Sequence, residues 1–518
     1  MTPSRGFLLR FLDAVERIGN KLPDPITLFA LFAALVVVVS AIAAAFNTAA
    51  VHPGTGDTIT AVNLLSAAGI RRMLTEAVSN FTAFPPLGLV IVVIIGIGVT
   101  ERSGLITVAL RRLVSAVPPS LLTATVVFAG IMSSMAVDAG YVVLVPLGAM
   151  LFAAIGRHPL AGLAAAFAGV SAGFSANLLL TSLDPLLSGL STEAARLVDP
   201  AYEVDPTANY YFMIVSVFLL TGLGTFVTAK FVEPRLGTWD RSRAMDVPDM
   251  QMGEITERER KGLWAAGITF LLTLIGIALL VVPEWAPLRD PAAAGQPTLV
   301  QIRPFFTSIV TLLMLMFLLM GLAYGIVAGT IRSDRDVALM SSEAVGVLGS
   351  YIVLAFFAAQ FVAYFNWSNL GIILAINGAN GLQAVGFEGM PLLLSFVIVA
   401  AFINLFIGSA SAKWAVMAPV FVPMLMFMGY SPEATQVAYR VGDSTTNIIT
   451  PLMQYFPVII AFAQKYDRES GLGTLISAML PYTIVFMIGW LVMLGVWITF
   501  EIPLGPGAPL HYIPATLP

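Results

Sequence analysis

The sequence predicts an all-α polytopic membrane protein, and three observations predict it. Of 518 residues, 58% are hydrophobic and 11% are charged, with a mean hydropathy of +0.89. Soluble domains carry roughly 25% charged residues. Apolar runs of about twenty residues recur along the chain, the length a helix needs to cross a bilayer, whereas barrel strands alternate over about ten. Two longer apolar stretches, 120–155 and 391–429, are each interrupted by polar residues and read as re-entrant helical hairpins.

Taken in order, residues 1–25 hold Arg5, Arg10, Arg17 and Lys21 without an apolar core, so they are not expected to be a cleavable signal. The first span starts at Ile26 and ends near residue 46. The segment 61–81 has the pattern of an amphipathic helix lying on the membrane surface. Further spans follow over 86–100, 160–182, 209–231, 262–282, 305–330, 346–364, 434–462 and 474–499, each bounded by Pro, Gly or charge. Nine spans and two hairpins account for the chain as a single membrane domain over 1–518, with no loop long enough for a soluble core.

Lysine and arginine fix the expected orientation. With a cytoplasmic N-terminus, the inner segments hold 19 of these cations and the outer segments hold Arg71, Arg72, Arg196, Arg289 and Arg303. An odd number of spans places the C-terminus outside. Lys413 and Arg440 are left as the cations within the membrane. The net charge of −4 gives no reason to expect a nucleic-acid partner, and the absence of cysteine excludes disulfide and thiol chemistry.

A shift of 273 positions lays "VPLGAMLFAAIGRHP" (145–159) on "APVFVPMLMFMGYSP" (418–432), pairing Gly156 with Gly429 and Pro159 with Pro432. Without a gap it also pairs Gly169 with Gly442 and Ser171 with Ser444. The two hairpins enter from opposite sides under the threading. An inverted repeat follows, over 86–231 (hairpin 120–155, broken helix 160–182) and 305–499 (hairpin 391–429, broken helix 434–462). Such repeats with broken helices characterise secondary transporters.

Helix breaks at membrane depth persist only where protein or a wet cavity covers the backbone. "YRVGDSTTNIITPLMQYFP" (439–457) reads as one break, unwound over Gly442–Asn447, and "SAGFSANLLLTSLDP" (171–185) as the other. Their oxygens suit a desolvated cation, so Ser175, Asn177, Asp443, Ser444, Thr446 and Asn447 are candidates for a coupling ion, sodium being the metal expected. Charges in the membrane are costly and mark function. Asp184, Arg440 and Asp443 are therefore candidate substrate residues, with the alternative that Arg440 and Asp443 neutralise each other along one helix face. Asp184 could equally end a helix. In "NLFIGSASAKWAVMAP" (404–419), Asn404, Ser409, Ser411, Lys413 and Trp414 surround small residues at the hairpin tip, where a cation and an aromatic face suit an anionic aromatic solute. Asp138 and Tyr141 repeat the theme in the first hairpin.

The stretches "SAGFSANLLLTSLDPLLSGLS", "GSASAKWAVMAPVFVPMLM" and "YRVGDSTTNIITPLMQYFP" resemble those of AbgT family transporters, and the likeness covers nearly the whole chain. It implies a homodimer in the bacterial inner membrane, with a scaffold and a hairpin-bearing transport core. It also implies substrates such as p-aminobenzoyl-glutamate and, in some members, sulfonamide efflux. The family's functional positions fall on Asp184, Asn404, Ser411, Trp414, Arg440, Asp443 and Pro451. The paired Ser/Thr-Asn breaks are more distantly similar to sodium-coupled dicarboxylate symporters. The reading is thus a secondary transporter driven by a proton or sodium gradient, with no cofactor and no enzymatic activity. Asp443 is a candidate proton carrier unless Arg440 holds it charged. A channel is the alternative class. A serine hydrolase is disfavoured because His52, His158 and His511 lie in loops or near a terminus, and no nucleotide-binding GxxxxGK[ST] loop marks a primary pump.

Overall fold

The computed structural model describes residues 23, 25–51, 56–115, 118–135, 140–244, 255–293, 295, 298–346, 348–450, 453 and 455–512. Among them, seven helices are long and apolar enough to cross a membrane, or eight if one bent pair forms a single span.

The chain opens with α1 (Pro25–Ala45), a two-stranded antiparallel ribbon of β1 (Ala49–Val51) and β2 (Thr58–Thr60), and α2 (Ala67–Thr82). Ser66 caps α2 by accepting from the Gly69 N–H at 3.1 Å. Ile70, Leu74 and Val78 lie exposed along one face at a spacing of four, which agrees with a helix lying on the bilayer surface. α3 (Pro85–Arg102) and α4 (Leu105–Ser115) follow. The stretch expected as the first hairpin forms α5 (Leu122–Met132) and α6 (Val145–Ala154), and Asp138 between them lies outside the described residues.

Next come α7 (Pro159–Phe167), a π-turn over Ala168–Ala172, and an irregular segment up to α8 (Leu183–Ala195). The expected span 160–182 is therefore helical over only its first part. Then come α9 (Tyr210–Val227), α10 (Glu257–Val281), α11 (Ile309–Ala328), α12 (Asp334–Gly346), α13 (Gly349–Trp367) and α14 (Leu370–Ala384). α14 was not anticipated, because Asn377, Asn380 and Gln383 interrupt its apolar run. The stretch expected as the second hairpin forms α15 (Gly389–Asn404) and α16 (Ala410–Phe427), the latter one of the seven helices long enough to cross. α17 (Pro432–Thr446), a 3₁₀ turn over Asn447–Ile449, α18 (Phe456–Tyr466) and α19 (Leu472–Thr499) complete the chain.

The expected break over Gly442–Asn447 is corrected. That run is helical to Thr446, and the chain leaves the helix about one turn later, where Thr450 is extended at φ −84°, ψ 111°. Thr450 precedes a proline, which disfavours the helical region for the residue before it. Hydroxyls upstream need no unwinding, because Thr445 and Thr446 donate back to Val441 O (3.0 Å) and Gly442 O (3.2 Å) within the helix.

The outer ends of both hairpins turn through glycine in the left-handed region, Gly156 at φ +76° and Gly429 at φ +87°, and Pro159 and Pro432 then open α7 and α17. At Gly169 and Gly442 a helix approaches the first limb of its hairpin closely. An added Cβ would meet Val127 O at 2.5 Å in one case and Val397 O at 2.4 Å in the other.

Polar contacts sort the loops onto two ends. Arg102–Glu343 (2.6 Å), Arg111–Glu259 (3.1 Å), Arg157–Glu233 (2.5 Å) and Arg243–Asp467 (4.0 Å) join loops at one end. At the other, Asn369 bonds Thr60 O (2.9 Å), Tyr211 N–H bonds Leu504 O (2.9 Å) and Ser431 N–H bonds Leu510 O (2.9 Å). Every pair at the first end joins segments that the charge count assigns to the cytoplasm.

Candidate functional site

The two helix breaks and the second hairpin meet in the interior. Lys413 is 0% exposed, Arg440 and Asp443 1%, and Asp184 3%. Charges this deep persist only when paired and hydrogen-bonded. The pairing runs between elements and not along one helix. Lys413 Nζ, in the first turns of α16, donates to Asp443 Oδ1 on α17, and Arg440 Nη2 donates to Asp184 Oδ1 at 2.6 Å. The alternative in which Arg440 and Asp443 neutralise each other gives way to these two bridges. Asp184 begins a helix and does not end one. It lies in the first turn of α8, and its Oδ2 accepts from Thr181 N–H (2.7 Å) and the Thr181 hydroxyl (3.0 Å).

Asn404, at the end of α15, braces the lysine bridge. Its Oδ1 accepts from Lys413 Nζ, which leaves its Nδ2 as the donor side. That nitrogen faces Asp443 O (2.7 Å), Thr446 Oγ1 (2.8 Å) and Asn447 Oδ1 (2.8 Å). Asn447 Nδ2 donates in turn to Ser171 O at 3.4 Å, joining the second break to the first. In the first break, Asn177 contacts the Ser134 hydroxyl at 2.5 Å. The buried atoms Ser175 Oγ, Asn177 Nδ2, Asp443 Oδ2, Ser444 Oγ and Arg440 Nε have no partner among the described residues.

Trp414 is fully buried. One ring face stacks on Tyr439 with centroids 4.4 Å apart, and its indole N–H donates to Ser191 Oγ at 3.0 Å. The Tyr439 hydroxyl donates to Ala410 O at 2.5 Å. The face expected to take a substrate ring is therefore occupied by protein in this conformation. Ser409 caps α16 and is exposed, and Ser411 beside it is half-buried. The structure thus gathers Asp184, Asn404, Lys413, Arg440, Asp443, Thr446 and Asn447, while Ser409 and Ser411 stand at the open tip. Pro451 lies outside the described residues. Thr181 and Tyr439 were missed by the sequence reading, although each is a polar group inside a stretch already singled out.

Among the described residues no cluster of three His, Cys, Asp or Glu could hold a metal. Any cation here would be held by hydroxyl, amide and carboxylate oxygens.

A polytopic helical bundle with broken helices around a buried, charge-paired interior defines a membrane transporter. The chain belongs to the family described as "AbgT putative transporter family", whose model matches residues 10–512. It is 40% identical over 493 residues to the p-aminobenzoyl-glutamate transport protein of Escherichia coli K12, covering 95% of each chain. Its fold is similar to the Alcanivorax borkumensis YdaH transporter (TM-score 0.87, 49% identity, 93% of this chain and 100% of that one). It is also similar to Neisseria gonorrhoeae MtrF, described with a class of antimetabolite efflux pumps (TM-score 0.90, 47% identity, 96% and 100%).

Proposed function

We propose that this chain is a secondary active transporter of p-aminobenzoyl-glutamate and related aromatic antimetabolites such as sulfonamides, working by alternating access in the bacterial inner membrane. The observation that carries it is the pair of buried bridges, Lys413–Asp443 and Arg440–Asp184, at the point where both breaks and the hairpin tip converge. Fixed buried charges flanked by unpartnered polar atoms are costly for a scaffold and suited to exchanging partners with an anionic solute. A carboxylate can replace Asp443 on Lys413 or Asp184 on Arg440, and Asn404 orients an amide. The oxygens of Ser175, Asn177, Asp443, Ser444, Thr446 and Asn447 serve a proton or sodium gradient.

The architecture in this reading is nine spans plus two hairpins in inverted repeats, assembled as a homodimer with the N-terminus cytoplasmic and the C-terminus periplasmic. The glycines that end both hairpins, and those at which α7 and α17 approach them, support the repeat. Counterflow of labelled p-aminobenzoyl-glutamate in proteoliposomes, with sodium and pH gradients imposed separately, tests the function. Accumulation under one gradient and not the other is expected. Equal flux with neither gradient rules coupling out.

A further inference from the structure

A one-way chain of buried hydrogen bonds leads away from Trp414. The indole N–H donates to Ser191 Oγ (3.0 Å), and the Ser191 hydroxyl donates to Gln436 Oε1 (2.6 Å). Gln436 Nε2 then donates to Asn209 Oδ1 (2.8 Å), and Asn209 Nδ2 donates to the Glu433 carbonyl (2.9 Å). Trp414, Ser191, Gln436 and Asn209 are all at most 1% exposed.

Both ends force the polarity. An indole nitrogen can only donate and a backbone carbonyl can only accept. Ser191 must therefore accept from Trp414 and spend its own proton on Gln436. That fixes which side of the Gln436 amide faces Ser191, and so which side of Asn209 faces Gln436. No link can reverse without leaving a buried group unpaired, and such a group is costly.

The chain also ties together parts distant in sequence. Ser191 lies on α8, Trp414 on α16, Gln436 on α17, and Asn209 at the N-cap of α9. Trp414 directly follows Lys413, so the bond that fixes the indole also fixes the rotation of the first turns of α16, and with it the reach of Lys413 to Asp443. Tyr439 holds one ring face, and the Ser191 bond sets the ring about the remaining axis.

We propose that Gln436, acting through Ser191, is a positioning residue that sets the plane of Trp414 and thereby the affinity of the site for an aromatic solute. The second half of this proposal rests on the transport function proposed above. Gln436→Met and Ser191→Ala each cut the chain without adding bulk.

Two measurements test it on purified full-length protein. The first is fluorine NMR with 5-fluorotryptophan, the Trp414 resonance being assigned by its loss in Trp414→Phe. Both variants are expected to shift and broaden that resonance while the signals of the other tryptophans hold. The second is uptake of labelled p-aminobenzoyl-glutamate, where both variants are expected to raise KM about tenfold with Vmax changed less than about twofold. A Trp414 resonance identical to the parent's in both variants overturns the positioning role, and an unchanged KM overturns its effect on affinity. If the parent takes up no p-aminobenzoyl-glutamate, the transport reading fails, and the fluorine spectrum still decides whether Gln436 sets the ring.

Discussion

Lys413 and Asp443 are each buried so deeply that neither is neutral to loss of the other. Truncating one partner of a buried bridge leaves an uncompensated charge at about 3–5 kcal/mol, whereas replacing both by apolar residues is often close to neutral. Asp443→Ala and Lys413→Ala should therefore each lower the melting temperature strongly and abolish uptake. The double variant Lys413→Met/Asp443→Leu should regain most of the stability and none of the transport, and thermal unfolding beside uptake checks both. Recovery of transport in the double variant would show that these charges serve folding alone. Asp184→Ala strands Arg440 in the same way, with a further loss of the bonds from Thr181. The charged residues of this site were legible in the sequence because charge at membrane depth is rare. Their pairing was not, because Arg440 and Asp443 stand three apart on one helix and the true partners come from sequence-distant elements that only packing brings together.

At the scale of elements, close helix approach and capping decide what can change. Gly169 and Gly442 each leave no room for a Cβ against a hairpin carbonyl. Gly442→Ala and Gly169→Ala should each cost about 1–3 kcal/mol through overpacking, read as a lowered melting temperature, with both hairpins affected alike. The start of α7 should respond to pH. His158 Nδ1 accepts from the Leu160 N–H at 3.2 Å, and burial holds the imidazole below its ordinary value of 6.5, with Asp467 and Glu233 acting the other way. The folded state binds this proton more weakly than the unfolded one, so the cap's contribution is complete above the ordinary imidazole range and is lost as pH falls through the lowered value. Hydrogen-exchange protection over 160–163, taken relative to the intrinsic rate at each pH, should fall on acidification in the parent, and His158→Asn, which keeps a capping acceptor, should flatten that response. The existence of both breaks was legible from Pro451 and from the polar run in 171–185. Their placement was not, since hydroxyls that bond back to their own helix look, in sequence, the same as hydroxyls in unwound chain.

For the whole molecule, the charge asymmetry and the observed loop contacts make one joint statement. Segments assigned to the same side by lysine and arginine meet at the same end, as Arg157–Glu233 and Arg243–Asp467 do at one and Asn369–Thr60 does at the other. The chain has no cysteine of its own, so single substitutions report sidedness directly. In right-side-out vesicles, a membrane-impermeant maleimide should label Glu203→Cys and spare Arg243→Cys, and the reverse pattern would invert the proposed orientation. The helical, multi-span character was legible from run length and composition. α14 was not, because Asn377, Asn380 and Gln383, all exposed, interrupt an apolar run whose buried face is carried by Ile373, Ala375, Ile376 and Ala379.

The quartet formed by Lys413, Asp443, Arg440 and Asp184 sums to zero. A neutral sulfonamide entering it leaves that sum intact, whereas a glutamate-bearing solute brings surplus negative charge into a medium that screens it poorly. Under the proposed function, that surplus would call for a companion of opposite sign beside the quartet. In the transport cycle proposed above, solutes of unlike valence would therefore travel in unlike company, and the current that accompanies each one would report the difference.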